Sequence, residues 1–275
     1  MKINIKLKLL SSLMHFDDEN IGSMQITRML KFKYNDEYIY IPVYSGNSFR
    51  GILRRLIMKD YLENVDSLKI TAKLYHSLFS GGSLVSGKEY CDMEEMKNTR
   101  DMCPPVSVLG TIIGNTMYEG KLKIGIFKPI CKELVDYTGV ESNISFYEML
   151  EEIYHVRTDS LKSSKIGNSN IEIIGENNEK IQMKYEMQSL CAGSELISHI
   201  YLENMNEIEK SCVTAMLELF ERKPFIGGKT NIGYGEVKIE YDKEHMLSSK
   251  LYYDYLKENK ESILNWITVI ESKLK

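Results

Sequence analysis

Polar and apolar residues alternate in two stretches near the start of the chain, as they do in half-buried strands. The alternation covers residues 2–10 and returns around Tyr38–Val43, after a turn at Asn35-Asp36. The turn Ser45-Gly46-Asn47-Ser48 then leads into a helical pattern with an apolar and a basic side. The apolar residues are Phe49, Ile52, Leu53, Leu56, Ile57 and Tyr61, and the basic residues are Arg50, Arg54, Arg55 and Lys59.

Helical and strand-like segments follow each other along the rest of the chain. Helices are predicted at 66–79, 146–154, 208–220 and 251–274, and strands at 121–129, 196–202 and 236–241. Residues 157–182 are polar and are predicted to form an exposed excursion, such as a hairpin. The strands are too polar to be buried on both faces, so the pattern predicts an α+β fold with helices on one side of a sheet.

The composition is that of a folded protein. The chain has 275 residues, of which 43% are hydrophobic and 27% charged, which excludes wholesale disorder and allows one large domain or two packed ones. No apolar run reaches the ~18 residues of a membrane span, and the first residues alternate instead of forming a signal peptide's apolar core. We therefore expect a cytoplasmic protein without a membrane partner.

The five cysteines do not form a recognisable disulfide or metal pattern. No two of them form a C-x-x-C pair, and their number is odd. Both features favour free thiols over disulfide bonds. His76, Cys91 and Cys103 have no characteristic ligand spacing, so no metal or cofactor is predicted.

Charge is distributed unevenly along the chain. The net charge is −4, but residues 1–60 contain ten Lys and Arg against six Asp and Glu. The overall charge gives no support to nucleic-acid binding, so that function has to depend on local groups.

Two polar, glycine-containing segments provide such groups. The first is the predicted helix start at Ser45-Gly46-Asn47-Ser48, which Arg50 and Arg54 follow. Its polar residues indicate either simple capping of the helix or the binding of an anion such as phosphate. The loop at 227–235 contains Gly-Lys-Thr but precedes a strand, whereas the phosphate-binding loop of ATPases leads into a helix. An ATPase is therefore excluded, although Gly227, Gly228, Lys229, Thr230 and Asn231 suit a close approach to a backbone.

Together these segments resemble the RAMP superfamily of CRISPR proteins, most closely the backbone subunits that polymerise along guide RNA. Residues 41–51 look like the Ile-Pro-[small]-Ser-Ser-hydrophobic-[Lys/Arg]-Gly motif of that family. Shorter stretches are similar to the type IV backbone subunit: 103–120, 155–159, 185–187 and 192–194. The matching pieces span roughly residues 2–240.

The resemblance implies a single domain over 1–275 with a modified RNA-recognition-motif (ferredoxin-like) palm. It also implies a thumb hairpin at 157–186, a helical and loop insertion at 66–119, and a C-terminal helix at 250–275. Ser45, Gly46, Asn47, Ser48, Arg50 and Arg54 would hold guide RNA from one side, and 227–231 from the other. Arg157, Lys162, Lys165 and Lys184 of the thumb region are further expected contacts. Such contacts carry no sequence information, which suits a subunit that accepts any guide.

The resemblance implies a subunit without catalysis. In related type III subunits an acidic residue after the first strand cuts target RNA, but the corresponding positions here are Met24 and Gln25. The expected partners are guide RNA, further copies of the chain, other effector subunits and a base-paired target. The alternatives are an endoribonuclease that uses Asp17, Asp18, Glu19 or His15, and a protein-interaction domain without an RNA role.

Overall fold

A computed structural model describes residues 1–21, 24–82, 92–158, 182–244 and 246–274. The strands are β1 (Lys2–Leu9), β2 (Phe16–Ile21), β3 (Met24–Thr27), β4 (Met29–Tyr34), β5 (Glu37–Pro42), β6 (Thr111–Ile113), β7 (Thr116–Tyr118), β8 (Leu122–Ile124), β9 (Lys128–Pro129), β10 (Leu150–Thr158), β11 (Gln182–Leu190), β12 (Glu195–Leu202) and β13 (Val237–Tyr241). The α-helices are α1 (Gly46–Asn64), α2 (Ala72–Tyr75), α3 (Met93–Met102), α4 (Pro104–Leu109), α5 (Val135–Thr138), α6 (Glu207–Arg222), α7 (Lys250–Glu258) and α8 (Lys260–Lys273). Shorter π or 3₁₀ turns occupy His76–Ser80, Lys132–Leu134, Phe146–Met149 and Thr230–Ile232.

The main sheet is antiparallel and has the order β13-β1-β12-β8, with β9 also pairing to β12. Helix α1 lies between β1 and β8 in the chain, helix α6 lies between β12 and β13, and the two helices pack together. This is the strand–helix–strand–strand–helix–strand arrangement of ferredoxin-like folds. The α+β class and the palm implied by the resemblance are confirmed.

The alternating pattern of β1 divides the main sheet into a buried and an open face. Ile3, Ile5, Leu7 and Leu9 are buried in the same cluster as residues of α1 and α6, while Lys2 and the other polar residues of β1 point away. Phe49 of α1 anchors this core, because its ring lies 5.1 Å from that of Phe127 and 5.1 Å from that of Phe220. Helix α1 is therefore fixed firmly over the sheet.

The segment 66–119 packs against the same core through buried polar contacts. The hydroxyl of Tyr61 donates to the carbonyl oxygen of Met102 at 3.0 Å, and the indole of Trp266 donates to Thr99 at 3.2 Å. The carboxylate of Glu209 on α6 pairs with Lys121 at 2.6 Å just beyond the segment. These contacts hold the segment beside α1, where its residues 109–112 and 117–120 form one wall of the site described below.

Four predicted elements differ from the structure. The stretch 146–154 is a 3₁₀ turn followed by strand β10, because pairing with β11 overrides the local helical pattern. The C-terminal helix is divided into α7 and α8 at Asn259, whose backbone is not helical. The predicted helix at 66–79 contains only α2 and a π turn, and the strand at 121–129 is interrupted between β8 and β9.

A second sheet has the order β10-β11-β3-β2, and β10 and β11 pair from Leu150 opposite Leu190 to Thr158 opposite Gln182. These two strands lead into and out of the predicted thumb, most of which (159–181) lies outside the described residues. Strands β4 and β5 form a separate hairpin, whose turn places Asn35 and Asp36 in the left-handed conformation typical of two-residue hairpin loops.

None of the helices in the described part of the chain has the length and apolar character needed to cross a membrane. Cys103, Cys131, Cys191 and Cys212 are free thiols, as predicted, and Cys91 lies outside the described residues.

Candidate nucleic-acid interface

The start of α1 is open to an anion. Ser45 precedes the helix in an extended conformation, its side chain makes no capping hydrogen bond, and the first turn carries no acidic residue. Asn47 is exposed, and Ser45 and Ser48 are half-buried. Because the first amide groups of a helix lack intrahelical acceptors and lie at the positive end of its dipole, this turn favours a bound anion over simple side-chain capping.

Gly46 brings this helix start close to the main sheet. A Cβ atom at this position would lie 2.5 Å from the carbonyl oxygen of Gly125 and 2.6 Å from that of Ile124. Only glycine allows this approach, which places the first turn of α1 directly against the connection between β8 and β9.

Arg50 and Arg54 place two positive charges next to each other behind the first turn. Both guanidinium groups donate to the carbonyl oxygen of Leu109, the bond from Arg54 measuring 2.9 Å. Neither group forms an ion pair within the described ranges of the chain. Burial lowers the pKa of both, that of Arg54 to about 10. An arginine side chain is effectively always protonated at neutral pH. Two adjacent cations without a carboxylate partner create a local preference for an anion.

Arg54 is held by structural hydrogen bonds, although it also lines the cavity and the groove described below. Arg54 is only 8% exposed, and its guanidinium also donates to the carbonyl oxygen of Gly110 at 2.8 Å. The segment 66–119 covers it, which the helical pattern of α1 alone does not reveal. Arg55, the next residue, is exposed and lines a groove with Tyr75 and Phe79, whose rings stack 4.6 Å apart.

A cavity of about 500 Å³ adjoins the helix start, and sequence reasoning did not identify it. Asn47 and Arg50 line both this cavity and the neighbouring groove at Arg55. The opposite wall is formed by residues 109–112 and 117–120. No sequence signal connects these distant residues, because only the packing of 66–119 brings them together.

The glycine-rich loop approaches the other side of the site through its backbone. Gly227 has a φ of +75°, and a Cβ atom there would lie 2.4 Å from the carbonyl oxygen of Met14. The amide of Gly228 donates to the same oxygen at 2.7 Å. Lys229 lies over the ring of Tyr185 at 5.4 Å, and the 3₁₀ turn Thr230–Ile232 follows, with Asn231 exposed.

Residues 14 and 15 connect the two predicted motifs. Met14 accepts the hydrogen bond from the glycine-rich loop, and the Nε2 atom of the next residue, His15, accepts the amide hydrogen of Ser45 at 3.2 Å. The His15 ring also packs edge-on against Tyr44, 4.8 Å between centroids. The structure thus attaches Ser45 and Gly228 to two consecutive residues of the segment that follows β1.

We expect Gly227→Ala to lower the free energy of unfolding by roughly 2 kcal/mol, because it combines left-handed strain with a backbone clash. Gly233→Ala is the matched control: its φ is +95°, but nothing lies within 4 Å of the added Cβ, so only about 1 kcal/mol of strain remains. Urea denaturation compares the two variants. Equal losses would show that the contact with Met14 contributes nothing.

We expect the protonation of His15 to make the fold sensitive to acid. Burial, followed by the nearby charge of Arg28, lowers its pKa from 6.5 to about 4. The unfolded chain then binds more protons between pH 6.5 and 4, so the contribution to stability is complete above pH 6.5 and decreases as the pH falls through this range. When the pH falls from 7 to 5, the free energy of unfolding of the native chain should decrease by about 1 kcal/mol more than that of His15→Gln. This figure allows for the partial exposure of His15. Parallel pH profiles in urea denaturation would contradict this assignment.

The base of the predicted thumb contacts the glycine-rich loop. His155 on β10 lies 2.9 Å from the hydroxyl of Tyr234, ring nitrogen to oxygen. Arg157 lies on β10, and Lys184 on β11 is exposed. Lys162 and Lys165 lie outside the described residues.

The residues considered for catalysis take part in contacts that stabilise the fold. Asp17 and Asp18 pair with Arg28 at 3.5 and 3.0 Å, and Met24 and Gln25 lie on β3, which pairs with β11. Nε2 of His15 already accepts the hydrogen bond from Ser45. In the part of the chain that the structure describes, no three His, Cys, Asp or Glu residues are grouped to hold a metal ion.

Comparisons with known proteins agree with the fold. Among solved structures the chain is similar to one titled "Type IV-B CRISPR Complex", with a TM-score of 0.66 and 18% sequence identity, over 90% of this chain and 93% of that chain. No curated protein matches the sequence. The sequence model of the RAMP superfamily matches residues 6–238, a range that includes both the helix start at Ser45 and the glycine-rich loop. The chain therefore belongs to the RAMP superfamily.

Proposed function

We propose that the chain is a non-catalytic backbone subunit of a CRISPR effector complex that binds guide RNA and assembles with further copies of itself. The observation that carries the proposal is the uncompensated pair Arg50 and Arg54 at an open helix start, facing a site whose other side is the glycine-rich loop. The similarity to a type IV-B CRISPR complex covers nearly the whole of both chains and supports the same role.

In this proposal the guide RNA contacts the chain through its phosphates. Amide groups at the start of α1, the side chains of Asn47 and Ser48, and the guanidinium of Arg50 bind one phosphate region. The backbone of 228–231 and the ammonium of Lys229 bind the other. Arg54 supports Arg50 by adding charge and by fixing the carbonyl of Leu109. Such contacts leave the base edges free for pairing with a target.

Copies arranged head to tail along one guide would form a heterologous assembly that does not close into a ring. Other effector subunits would complete such an assembly, and a cytoplasmic location would follow from this role. We do not assign an endoribonuclease activity, because His15 and the Asp17–Asp18 pair are engaged in structural contacts. RNA cleavage by the purified chain that Asp17→Ala or His15→Ala abolishes would reverse that assignment.

Size-exclusion chromatography of the chain co-expressed with a CRISPR guide RNA tests the proposed function. Absorbance at 260 and 280 nm should show a large, RNA-rich peak with a regular ratio of protein to RNA. A single peak near 31.8 kDa without RNA would contradict the proposal.

A further inference from the structure

The open face of the main sheet is rich in lysine. The paired strand positions of this face carry six lysines and two glutamates: Lys2, Lys6, Lys8, Lys123, Lys128 and Lys238, with Glu195 and Glu240. Three further acidic residues, Glu203, Glu236 and Asp242, lie just beyond the ends of the strands. The strands of this face are therefore basic, although the whole chain has a net charge of −4.

The lysines of this face divide into paired and unpaired groups. Lys6 pairs with Glu195 at 2.7 Å, Lys123 with Glu203 at 2.7 Å, and Lys238 with Glu240 at 2.8 Å. Lys2, Lys8 and Lys128 take part in no ion pair within the described ranges. Two of them, Lys2 and Lys128, lie near His199, whose pKa is lowered by burial and then by these two charges. Two of the three unpaired lysines are thus close to one position of β12.

Two aromatic rings lie at that position. His199 and Tyr201 are two residues apart on β12, so both side chains lie on the open face. Their ring centroids are 4.9 Å apart, and Tyr201 is 39% exposed. The ammonium of Lys2, opposite Tyr201 on β1, lies 5.8 Å from the centre of its ring. An exposed ring beside unpaired ammonium groups provides both a stacking surface for a base and a partner for a phosphate.

We propose that this open face, centred on Tyr201, His199, Lys2 and Lys128, is a second binding surface for single-stranded nucleic acid. It adjoins the start of α1, because Gly125 lies against both Gly46 and the ring of His199. It differs from the guide site in lying on the open face of the sheet, whereas α1 covers the other face. A protein partner fits less well, because the centres of protein interfaces are depleted in lysine and enriched in larger apolar residues.

A fluorescent oligouridine of about 12 nucleotides, long enough to cross one such domain, is the probe. The complex with guide RNA is used, or the RNA-free chain if no guide co-purifies. Lys2→Glu with Lys128→Glu, and separately Tyr201→Ala, should weaken binding by about 10-fold or more, since stacking contributes ~1–3 kcal/mol per base. Tyr201→Phe keeps the ring and should bind normally, as should Lys250→Glu with Lys257→Glu, which reverses two exposed charges on α7.

Photo-cross-linking with a 4-thiouridine probe locates the contact independently of affinity. Adducts on the peptide that contains Tyr201 are expected, with the amount of co-purified guide RNA unchanged in the sheet variants. Unchanged affinity in those variants, or adducts confined to 44–55 and 227–234, would overturn the second surface. Loss of co-purified guide in the native protein would instead contradict the proposed function, so the two failures are distinguishable.

Discussion

Replacing Arg50 and Lys229 together with alanine is expected to weaken guide-RNA binding by about 100-fold, since a charge-assisted phosphate contact contributes ~1.5 kcal/mol. The salt dependence should change as well. Each phosphate contact to a single strand contributes about 0.7 to the slope of log affinity against log salt, so losing two should reduce that slope by about 1.4. Fluorescence anisotropy with a labelled guide at several salt concentrations measures both quantities.

The matched control removes the same number of charges elsewhere. Lys250 and Lys257 are exposed on α7, outside both motifs, and their replacement with alanine should leave affinity and slope nearly unchanged. Equal effects of the two double variants would show that the chain attracts RNA only through its total charge. Thermal unfolding confirms that each variant is folded, which matters because Arg50 also contacts Leu109.

Arg54→Met is expected to lower the free energy of unfolding by about 3 kcal/mol, because hydrogen bonds from a charged donor contribute ~1.5–3 kcal/mol each. The methionine retains most of the apolar stem, but the carbonyl of Gly110 loses the bond of 2.8 Å and that of Leu109 loses one of its two guanidinium donors. The segment 66–119 would then be held less firmly on α1. Urea denaturation monitored by the fluorescence of Trp266, which contacts this segment through Thr99, measures the loss.

Arg55→Met provides the comparison at the adjacent position. Arg55 is exposed, so its replacement should change stability by no more than about 0.5 kcal/mol. A similar loss of stability in both variants would contradict the structural role of Arg54, and so would an Arg54→Met chain that is as stable as the native one.

The sequence predicts those features that depend on neighbouring residues. The helix start after Ser45 and the glycine-rich loop are recognisable because their backbone conformations need particular residue types at short spacing. The alternation in β1 likewise shows which of its residues are buried. These local signals are sufficient to predict an α+β fold and to single out the two segments proposed as the sides of the site.

The features that the sequence did not predict depend on distant contacts. Arg54 and Arg55 are equivalent in a helical pattern, and only the packing of 66–119 buries one and leaves the other exposed. His15 is a lone histidine in the sequence, yet its acceptor role depends on Ser45, thirty residues away. Strand β10 has a helix-like local pattern, and its pairing with β11 determines the actual structure.

Native mass spectrometry of complexes assembled on guide RNAs of increasing length tests the central claim most directly. If each chain binds a fixed stretch of phosphate backbone, the number of protein copies should increase by one for each constant increment of nucleotides, whatever the guide sequence. A copy number that does not change with guide length, or that depends on one particular sequence, would contradict the claim.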